Sequence, residues 1–265
     1  MMDLQIAGKR ALVTGSTAGI GFAIAQSLAK EGAAVVVNGR TTKRVDEALA
    51  ALKKVGVSGK LEGLAADLGT VDGTRIAIER FPEVDILVNN LGIFEAKPFE
   101  DIPDSDWLRI FEVNILSGVR LSRHYLPIMK RRNWGRIVFI SSESAIQIPT
   151  EMIHYGMTKT AQIAIARGLA ETTAGTDVTV NSVLPGPTAS EGVNEFVESL
   201  ARDQKVTRQE VEDQFFQNMR PSSLLKRMAR PEEVANLVTF VCSPLSSATN
   251  GAALRADGGV VRSIV

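Results

Sequence analysis

The sequence predicts a doubly wound α/β fold, in which one parallel sheet is flanked by helices on both faces, as a single domain over residues 1–265. Short runs rich in β-branched residues alternate with segments of helical apolar spacing along most of the chain. The runs are continuously apolar, which is typical of strands buried on both faces of a parallel sheet. With 45% hydrophobic and 23% charged residues, a chain of this length can bury one substantial core.

The first half of the chain predicts four strands with helices between them. Arg10–Thr14 is the first strand, Phe22–Glu31 has helical apolar spacing, and Ala34–Val37 is the second strand. This strand–helix–strand unit sets the parallel arrangement, because such crossovers are right-handed. The next elements are a charged helix near Lys43–Val55, a strand near Lys60–Ala65, a short helix after Thr70 and the strand Asp85–Asn89.

The second half continues the alternation and contains one insertion. Its predicted elements are a helix within Ser105–Arg131, the strand Arg136–Ile140, a helix over Ile153–Ala174, the strand Val178–Leu184, a helix that begins at Pro231 and a last strand around Ala252–Arg255. Proline and the two glutamates after it suit the first turn of a helix. From about residue 186 to 230 the alternation is interrupted by a charged, helical segment. We expect this 186–230 insertion to cap a substrate site.

Charge and cysteine content limit the partners. Thirty basic side chains balance thirty acidic ones, so no net field attracts nucleic acid or an anionic membrane. The single cysteine, Cys242, cannot form a disulfide within the chain, which fits a reducing compartment. We recognise no signal peptide, no run near the roughly 18 apolar residues of a membrane span, and no metal-ligand spacing. We therefore expect a cytoplasmic protein with a small-molecule partner, no nucleic-acid or membrane partner and no metal.

A glycine-rich turn, Thr14–Gly21 (TGSTAGIG), directly follows the first predicted strand. Glycines permit a tight turn and close backbone approach at a helix N-terminus, where a pyrophosphate can bind. A purely structural turn is the alternative, but the position in the first strand–helix unit favours a dinucleotide. The predicted contacts from this turn are Gly15, Ser16, Thr17, Gly19, Ile20 and Gly21.

The end of the second predicted strand bears on the choice of dinucleotide. Asn38, Gly39 and Arg40 stand where an acidic residue would bind the ribose 2′-hydroxyl of NAD. Arg40 can instead meet a 2′-phosphate, so NADP(H) is favoured over NAD(H). The alternative is a solvated arginine at a strand end, and Ala18 leaves the glycine turn without a second basic residue.

Further motifs follow in order along the chain. Tyr155 and Lys159 lie four residues apart in a predicted helix, so their side chains share one face. The ordered motifs are TGSTAGIG at Thr14–Gly21, Asp67, NNLG at Asn89–Gly92, Asn114, Ser142, Tyr155-x-x-x-Lys159 and NSVLPG at Asn181–Gly186. Together they resemble the short-chain dehydrogenase/reductase family over essentially the whole chain. The resemblance implies a Rossmann fold and an NAD(P)(H)-dependent oxidoreductase that interconverts a ketone and a secondary alcohol.

The resemblance also implies residue roles. Tyr155 would be the general acid/base, Lys159 would lower its pKa and hold the nicotinamide ribose, and Ser142 would hydrogen-bond the reacting oxygen. Asn114 would hold a water in a proton relay. The remaining implied cofactor contacts are Asp67, Leu68, Asn89, Asn90, Gly92, Pro185, Gly186, Thr188 and Ser190. The residues that depart from the family's commoner pattern are Leu91, Pro187, Thr188 and Ser190.

The chemistry of carbonyl reduction explains why these residue types are needed. Hydride transfer to a carbonyl develops negative charge on the oxygen, so a proton donor and a fixed hydrogen-bond donor must point at that atom. Tyr155 and Ser142 would supply them. A free tyrosine has a pKa of about 10, and an adjacent ammonium such as that of Lys159 favours the phenolate. Taken alone, the Tyr155–Lys159 pair could equally be an exposed helical pair.

Several alternatives stay open at this level. The substrate could be a 3-oxoacyl chain on a carrier protein, or a sugar or polyol, and a non-enzymatic dinucleotide sensor is a more remote reading. Carrier-specific family members usually place a base in the turn after the Tyr155 helix, but Thr172–Thr176 contains none. We expect a structural or pocket role for His154 rather than a catalytic one. Candidate pocket residues are Phe94, Glu143, Ile146, Met152, Leu184 and residues 192–219.

Two helices bear on assembly. The alanine-rich helix after Tyr155 and the long helix around Asn114 resemble surfaces that pair across subunits in this family. The resemblance therefore implies a homotetramer or a homodimer, although core packing explains the same alanines.

Overall fold

The computed structural model describes residues 3–264, apart from the side chains at positions 195, 196, 199, 200 and 204. The strands in this range are β1 (Arg10–Val13), β2 (Ala34–Gly39), β3 (Leu61–Ala65), β4 (Ile86–Asn89), β5 (Gly135–Ile140), β6 (Val178–Pro185) and β7 (Ala253–Ala256). They form one parallel sheet of order β3-β2-β1-β4-β5-β6-β7. The chain changes direction across the sheet between β1 and β4, which is where ligands bind in open sheets of this kind.

Helices cover both faces of this sheet. They are α1 (Gly19–Lys30), α2 (Thr42–Lys54), α3 (Val71–Arg80), α4 (Asp104–Phe111), α5 (Ser117–Arg131), α6 (Ile153–Glu171), α7 (Glu191–Gln204), α8 (Arg208–Gln214) and α9 (Pro231–Val241). Side chains of α1, α2 and α9 pack in one apolar core with one face of the sheet. Side chains of α3, α5 and α6 pack in a second core on the other face. The predicted doubly wound α/β class is therefore confirmed.

The predicted elements are present, with shifts at their ends. The helix predicted from Phe22 begins at Gly19, inside the glycine turn, because Ala18 is extended and serves as the N-cap residue. The helix predicted to reach Ala174 ends at Glu171. Apolar spacing locates the buried face of a helix and says little about its uncapped ends.

The helix expected within Ser105–Arg131 has three parts. A π-helical turn, Glu112–Leu116, joins α4 to α5. Asn114 lies in this turn and is buried. Short π-helical turns inside α-helices often occur at functional sites.

The 186–230 insertion contains α7, α8 and a second π-helical turn, Phe215–Met219. Its buried apolar side chains form a small core separate from the two cores of the sheet, and they are Val197, Val211, Phe216 and Met228. Thr207 and Glu210 form a capping box that starts α8. The insertion therefore has local packing of its own.

Across residues 3–264, the helices are all too short or too polar to span a lipid bilayer.

Candidate functional site

The glycine turn between β1 and α1 is held by asparagine side chains from the two neighbouring strands. Gly15 and Gly19 have φ of +59° and +56°, a left-handed conformation that favours glycine. The Asn38 Oδ1 atom accepts from the Gly15 amide at 3.0 Å, and the Asn90 Nδ2 atom donates to the Gly15 carbonyl at 3.0 Å. A Cβ on Gly21 would lie 2.4 Å from both Asn90 Nδ2 and the Gly15 carbonyl oxygen. The turn is therefore held by hydrogen bonds and close packing within the protein.

Ser16 forms hydrogen bonds within this turn. Its hydroxyl donates to the Val13 carbonyl at 2.7 Å and accepts from the Asn38 amide at 2.9 Å. Its own amide donates to the Asn38 carbonyl at 2.9 Å. Because both of its donors are engaged and the residue is fully buried, Ser16 fixes the turn and neither donor faces a ligand. Sequence reasoning treated Asn38 only as a missing acid and did not foresee this role.

The side chains of two further predicted cofactor residues, Asn89 and Leu68, point into the protein interior. Asn89 Nδ2 donates to Ser122 Oγ of α5 at 3.2 Å. Leu68 is buried in the core that packs against α3 and α5. Any contact of these residues with a cofactor must therefore involve their backbone. Asp67, in contrast, is exposed, although its carboxylate accepts from the Gly69 amide at 3.0 Å.

The remaining predicted contacts lie near the carboxyl ends of the strands. Arg40 is exposed just after β2. A Cβ on Gly19 would lie 3.1 Å from the Ser190 Cβ, and a Cβ on Gly92 would lie 3.4 Å from Lys159 Nζ. Pro185 ends β6, and the amide of Gly186 is bonded to the Ala256 carbonyl at 3.1 Å. Thr188 donates its hydroxyl to the Gly186 carbonyl at 2.9 Å.

This edge of the sheet fits a dinucleotide. The N-terminus of α1 has no side-chain cap, so its amides remain to bind an anion. Glycines at positions 19 and 92 avoid close contacts that a Cβ would make with Ser190 and Lys159. Among residues 3–264, no three or more His, Cys, Asp or Glu side chains are arranged to hold a metal ion.

Ser142, Tyr155 and Lys159 come together beyond the carboxyl end of β5. Ser142 starts a 3₁₀ turn and accepts from the Ser144 amide at 3.1 Å. Its hydroxyl also lies close enough to the Tyr155 phenol to lower the pKa of that phenol. Lys159 Nζ lies 5.5 Å from the centroid of the Tyr155 ring and donates to the Ile140 carbonyl at 2.9 Å. The predicted spacing along α6 thus places phenol and amine on one face, as expected.

Asn114 is fixed from several sides. Its Oδ1 accepts from the Ile93 amide at 2.8 Å, and its Nδ2 donates to the Ile93 carbonyl at 2.9 Å and to Thr158 Oγ1 at 3.0 Å. Its backbone carbonyl accepts from Gln162 Nε2 at 2.6 Å. Gln162 Oε1 in turn accepts from Lys159 Nζ at 3.2 Å. Sequence reasoning did not single out Gln162.

Burial dominates the acid–base behaviour of the site. It raises the pKa of Tyr155 to about 12, against the opposing effect of the Ser142 hydroxyl. Glu143 raises the pKa of Tyr155 further and Arg220 lowers it. Burial also lowers the pKa of Lys159 to about 7. The expectation that Lys159 lowers the pKa of Tyr155 stays a prediction, because the causes of the shift in the protein alone are burial, Ser142, Glu143 and Arg220.

A buried ion cluster lies beside this site. Arg220, which follows the second π-helical turn, donates from Nε to Glu143 Oε1 at 2.8 Å and from Nη1 to Glu151 Oε1 at 3.4 Å. Two carboxylates and one guanidinium give this Glu143–Arg220–Glu151 triad a net negative charge. Glu143 Oε2 is buried and has no hydrogen-bond partner within the described part of the chain. Arg220 thereby joins the 186–230 insertion to the turn that carries Ser142.

The expected pocket residues divide by exposure. Phe94 is half-exposed, and its ring meets the Tyr155 ring edge-on with centroids 6.2 Å apart. Ile146 is also partly exposed, whereas Leu184 is fully buried within β6 and cannot line a pocket with its side chain. His154 is buried edge-on against Trp107 at 5.8 Å, which agrees with a structural role.

Comparisons with known proteins agree with this geometry. A family model described as enoyl-(acyl carrier protein) reductase matches residues 15–261. The chain is 55% identical over 263 residues to the uncharacterized oxidoreductase YvaG of Bacillus subtilis (strain 168), across 99% of this chain and 100% of the relative. It is 35% identical to the 3-oxoacyl-[acyl-carrier-protein] reductase FabG of Aquifex aeolicus (strain VF5), across 98% and 100% of the two chains. The structure of L-sorbose reductase from Gluconobacter frateurii, complexed with NADPH and L-sorbose, matches with a TM-score of 0.92 and 31% identity, across 99% and 100%.

Proposed function

The chain belongs to the short-chain dehydrogenase/reductase family and is an NAD(P)(H)-dependent oxidoreductase for ketone and secondary alcohol substrates, and we propose that Tyr155, Ser142 and Lys159 carry the reaction. The observation that supports this most is the Ser142 hydroxyl beside the Tyr155 phenol, with Lys159 on the same face of α6. When bound, the dinucleotide supplies hydride to the substrate carbon in reduction and accepts it in oxidation.

In this proposal the chain's own residues handle the oxygen and its proton. Tyr155 is a neutral phenol over the physiological pH range, because burial raises its pKa to about 12, so it can donate a proton to the developing alkoxide. Ser142 donates a hydrogen bond to the same oxygen and stabilises its charge. Lys159 is positioned by the Ile140 carbonyl toward Gly92 and the Tyr155 ring.

We further propose that NADP(H) is preferred over NAD(H). Arg40 is exposed beyond β2, where a 2′-phosphate would be met, whereas the nearby Arg44 already pairs with Glu191 at 2.7 Å. The presence of NADPH in the related L-sorbose reductase supports the preference. The other proposed cofactor contacts are Gly15, Thr17, Gly19, Ile20, Gly21, Asp67, Asn90, Gly92, Lys159, Pro185, Gly186, Thr188 and Ser190.

The substrate that we favour is a neutral, hydroxyl-rich ketone such as a ketose, with the 186–230 insertion as its lid. The Glu143–Arg220–Glu151 triad adds negative charge beside Tyr155, which disfavours an anionic substrate. The unpartnered Glu143 Oε2 is a buried acceptor that a substrate hydroxyl could satisfy. The likeness to L-sorbose reductase supports the same substrate class.

A 3-oxoacyl chain on a carrier protein is the second candidate, favoured by the likeness to FabG. The basic run Lys130–Arg132 could dock such an acidic carrier. However, Lys130 Nζ donates to the Thr172 carbonyl at 2.5 Å, and Arg132 pairs with Glu83 at 3.2 Å and with Asp85. Arg132 is therefore neutralised within the chain and Lys130 is held by a backbone carbonyl, which makes docking of a carrier protein less favourable.

A substrate panel tests this function directly. Reduction of L-sorbose, other neutral ketoses, a 2-keto acid and a 3-oxoacyl thioester is followed by absorbance of the reduced nicotinamide, with NADPH and with NADH. We expect the highest kcat/KM with a neutral ketose and NADPH. Higher kcat/KM with the thioester would favour the carrier-bound substrate instead. Clearly better turnover with NADH would contradict the cofactor preference.

We propose a homo-oligomer, either a dimer or a tetramer. The α4 helix exposes apolar side chains at Leu108 and Phe111, which a partner subunit could cover. Native mass spectrometry of the purified protein should therefore give a multiple of the 28.5 kDa chain. A monomer at micromolar concentration would reject the proposal.

We also propose a cytoplasmic location. Cys242 is a free, buried thiol whose pKa burial raises to about 12, which suits a reducing compartment. Cell fractionation of the source organism tests this proposal, and recovery of the protein outside the cytoplasmic fraction would overturn it.

A further inference from the structure

Gln162 connects two residues that sequence reasoning placed in the catalytic set. It follows Lys159 by three positions on α6, so both side chains lie on the same side of the helix. The Gln162 side chain is almost completely buried. Its Oε1 accepts from Lys159 Nζ at 3.2 Å, and its Nε2 donates to the backbone carbonyl of Asn114 at 2.6 Å. Both ends of the amide are therefore bonded within the site.

The surroundings allow one orientation of this amide. A backbone carbonyl can only accept, so the NH₂ end must face Asn114. A protonated amine can only donate, so the carbonyl end must face Lys159. The network is consistent at each link, and it extends from the Ile140 carbonyl through Lys159 and Gln162 to the π-helical turn.

We propose that Gln162 is a positioning residue that anchors the Lys159 amine to the Asn114 backbone, in the place where the family resemblance implies a relay water. The proposal rests on the function assigned above to Tyr155 and Lys159. An amide N–H is too weak an acid to exchange protons readily, so Gln162 holds the amine without conducting protons. By accepting from Lys159 it also favours the ammonium over the neutral amine.

A role in packing alone is less consistent with the contacts. The Asn114 side chain is already tied to α6 through Thr158 Oγ1 at 3.0 Å, without Gln162. The contribution specific to Gln162 is thus the link from the Lys159 amine to the Asn114 carbonyl. The charged groups that act on Tyr155 are Glu143 and Arg220, and neither contacts Gln162 through a hydrogen bond described in the structure.

Titration of Lys159, followed by the carbon-13 resonance of its labelled Cε atom, gives a test that needs no substrate. Burial lowers the pKa of Lys159 to about 7, well below the ordinary value for lysine. Lys159→Met confirms the assignment by removing that signal.

Gln162→Met removes both hydrogen bonds while nearly keeping the size of the side chain. We expect the pKa of Lys159 to fall by about one unit, because Lys159 loses an acceptor that favours its positive charge. We also expect kcat to fall about tenfold with little change in KM, and the pH profile of kcat to shift in the same direction. Thr158→Val is the matched control, which should lower stability without moving the titration.

If Gln162→Met folds poorly, a second variant distinguishes the hydrogen bonding of Gln162 to Lys159 from a role in packing. Gln162→Ser leaves room for a water that can restore both bonds, so its kcat and titration should lie closer to wild type than those of Gln162→Met. The proposal is overturned if both Gln162 variants fold and leave the titration and the pH profile of kcat unmoved. If Tyr155→Phe retains activity while the titration still shifts, the reaction assigned to Tyr155 fails but the anchoring by Gln162 stands.

Discussion

Tyr155→Phe is expected to lower kcat/KM for ketone reduction by about 10²- to 10⁴-fold, the usual contribution of a positioned proton donor. Phenylalanine keeps the aromatic ring that packs edge-on against Phe94 and loses the hydroxyl that lies beside Ser142. The cost in stability should be only about 1 kcal/mol, that of one hydrogen bond. Steady-state kinetics with the best ketone of the panel, together with thermal unfolding, measures both effects.

The chain offers a matched control for this substitution. Tyr125 is also buried, and its hydroxyl donates to the Phe81 carbonyl in the core between α3 and α5. Tyr125→Phe should therefore reduce stability by a similar amount and leave kcat/KM within about twofold of wild type. Wild-type turnover by folded Tyr155→Phe protein would remove the proposed acid/base role.

Arg220→Met is expected to reduce the free energy of unfolding by about 3–5 kcal/mol, because it leaves Glu143 buried without its charge partner. The Glu143 and Arg220 side chains are only 4% and 8% exposed, so solvent screens their interaction little. The substitution also releases the 186–230 insertion from the turn that carries Ser142, so KM should rise. Urea unfolding at neutral pH measures the loss of stability.

The pH dependence of this effect has a definite sign. Without Arg220, the buried Glu143 carboxyl should have a raised pKa in the folded state, so the folded protein binds more protons than the unfolded chain. The variant should therefore lose less stability relative to wild type as the pH falls toward 5. A loss that is independent of pH would argue against an orphaned carboxylate as the cause.

Two further variants serve as controls for the stability loss of Arg220→Met. Replacing both partners, as Glu143→Leu with Arg220→Met, should recover much of the lost stability because no buried charge is left alone. Arg75→Ala removes the exposed pair with Glu79, whose side chains are 59% and 60% exposed, and should cost less than about 1 kcal/mol. An Arg220→Met loss as small as that of Arg75→Ala would contradict the importance of the buried triad.

Local patterns allowed most of the fold to be predicted. The continuous apolar runs at Ala34–Val37 and Arg136–Ile140 became interior strands because both faces of a parallel sheet are covered. The four-residue spacing of Tyr155 and Lys159 likewise fixes which side chains share a helix face. Such features depend on neighbours along the chain, which the sequence displays directly.

The parts that could not be predicted depend on partners far apart in sequence. Arg220 meets Glu143 across 77 positions, and Gln162 meets the Asn114 carbonyl across 48. Asn89 was expected among the cofactor contacts, but its side chain bonds Ser122 of α5, a direction that no local pattern encodes. The direction of the pKa shift at Tyr155 also depends on burial by the assembled site, which is a property of the whole fold.

The separate small core of the 186–230 insertion has an evolutionary consequence. Residues such as Val211 and Phe216 pack among themselves, and the link to the reaction centre includes a salt bridge from Arg220. Mutations in that small core can reshape the insertion, which we propose as the substrate lid, while the proton-handling groups keep their positions. Substrate preference could therefore diverge through changes in the 186–230 insertion alone, while the residues that handle the proton stay the same.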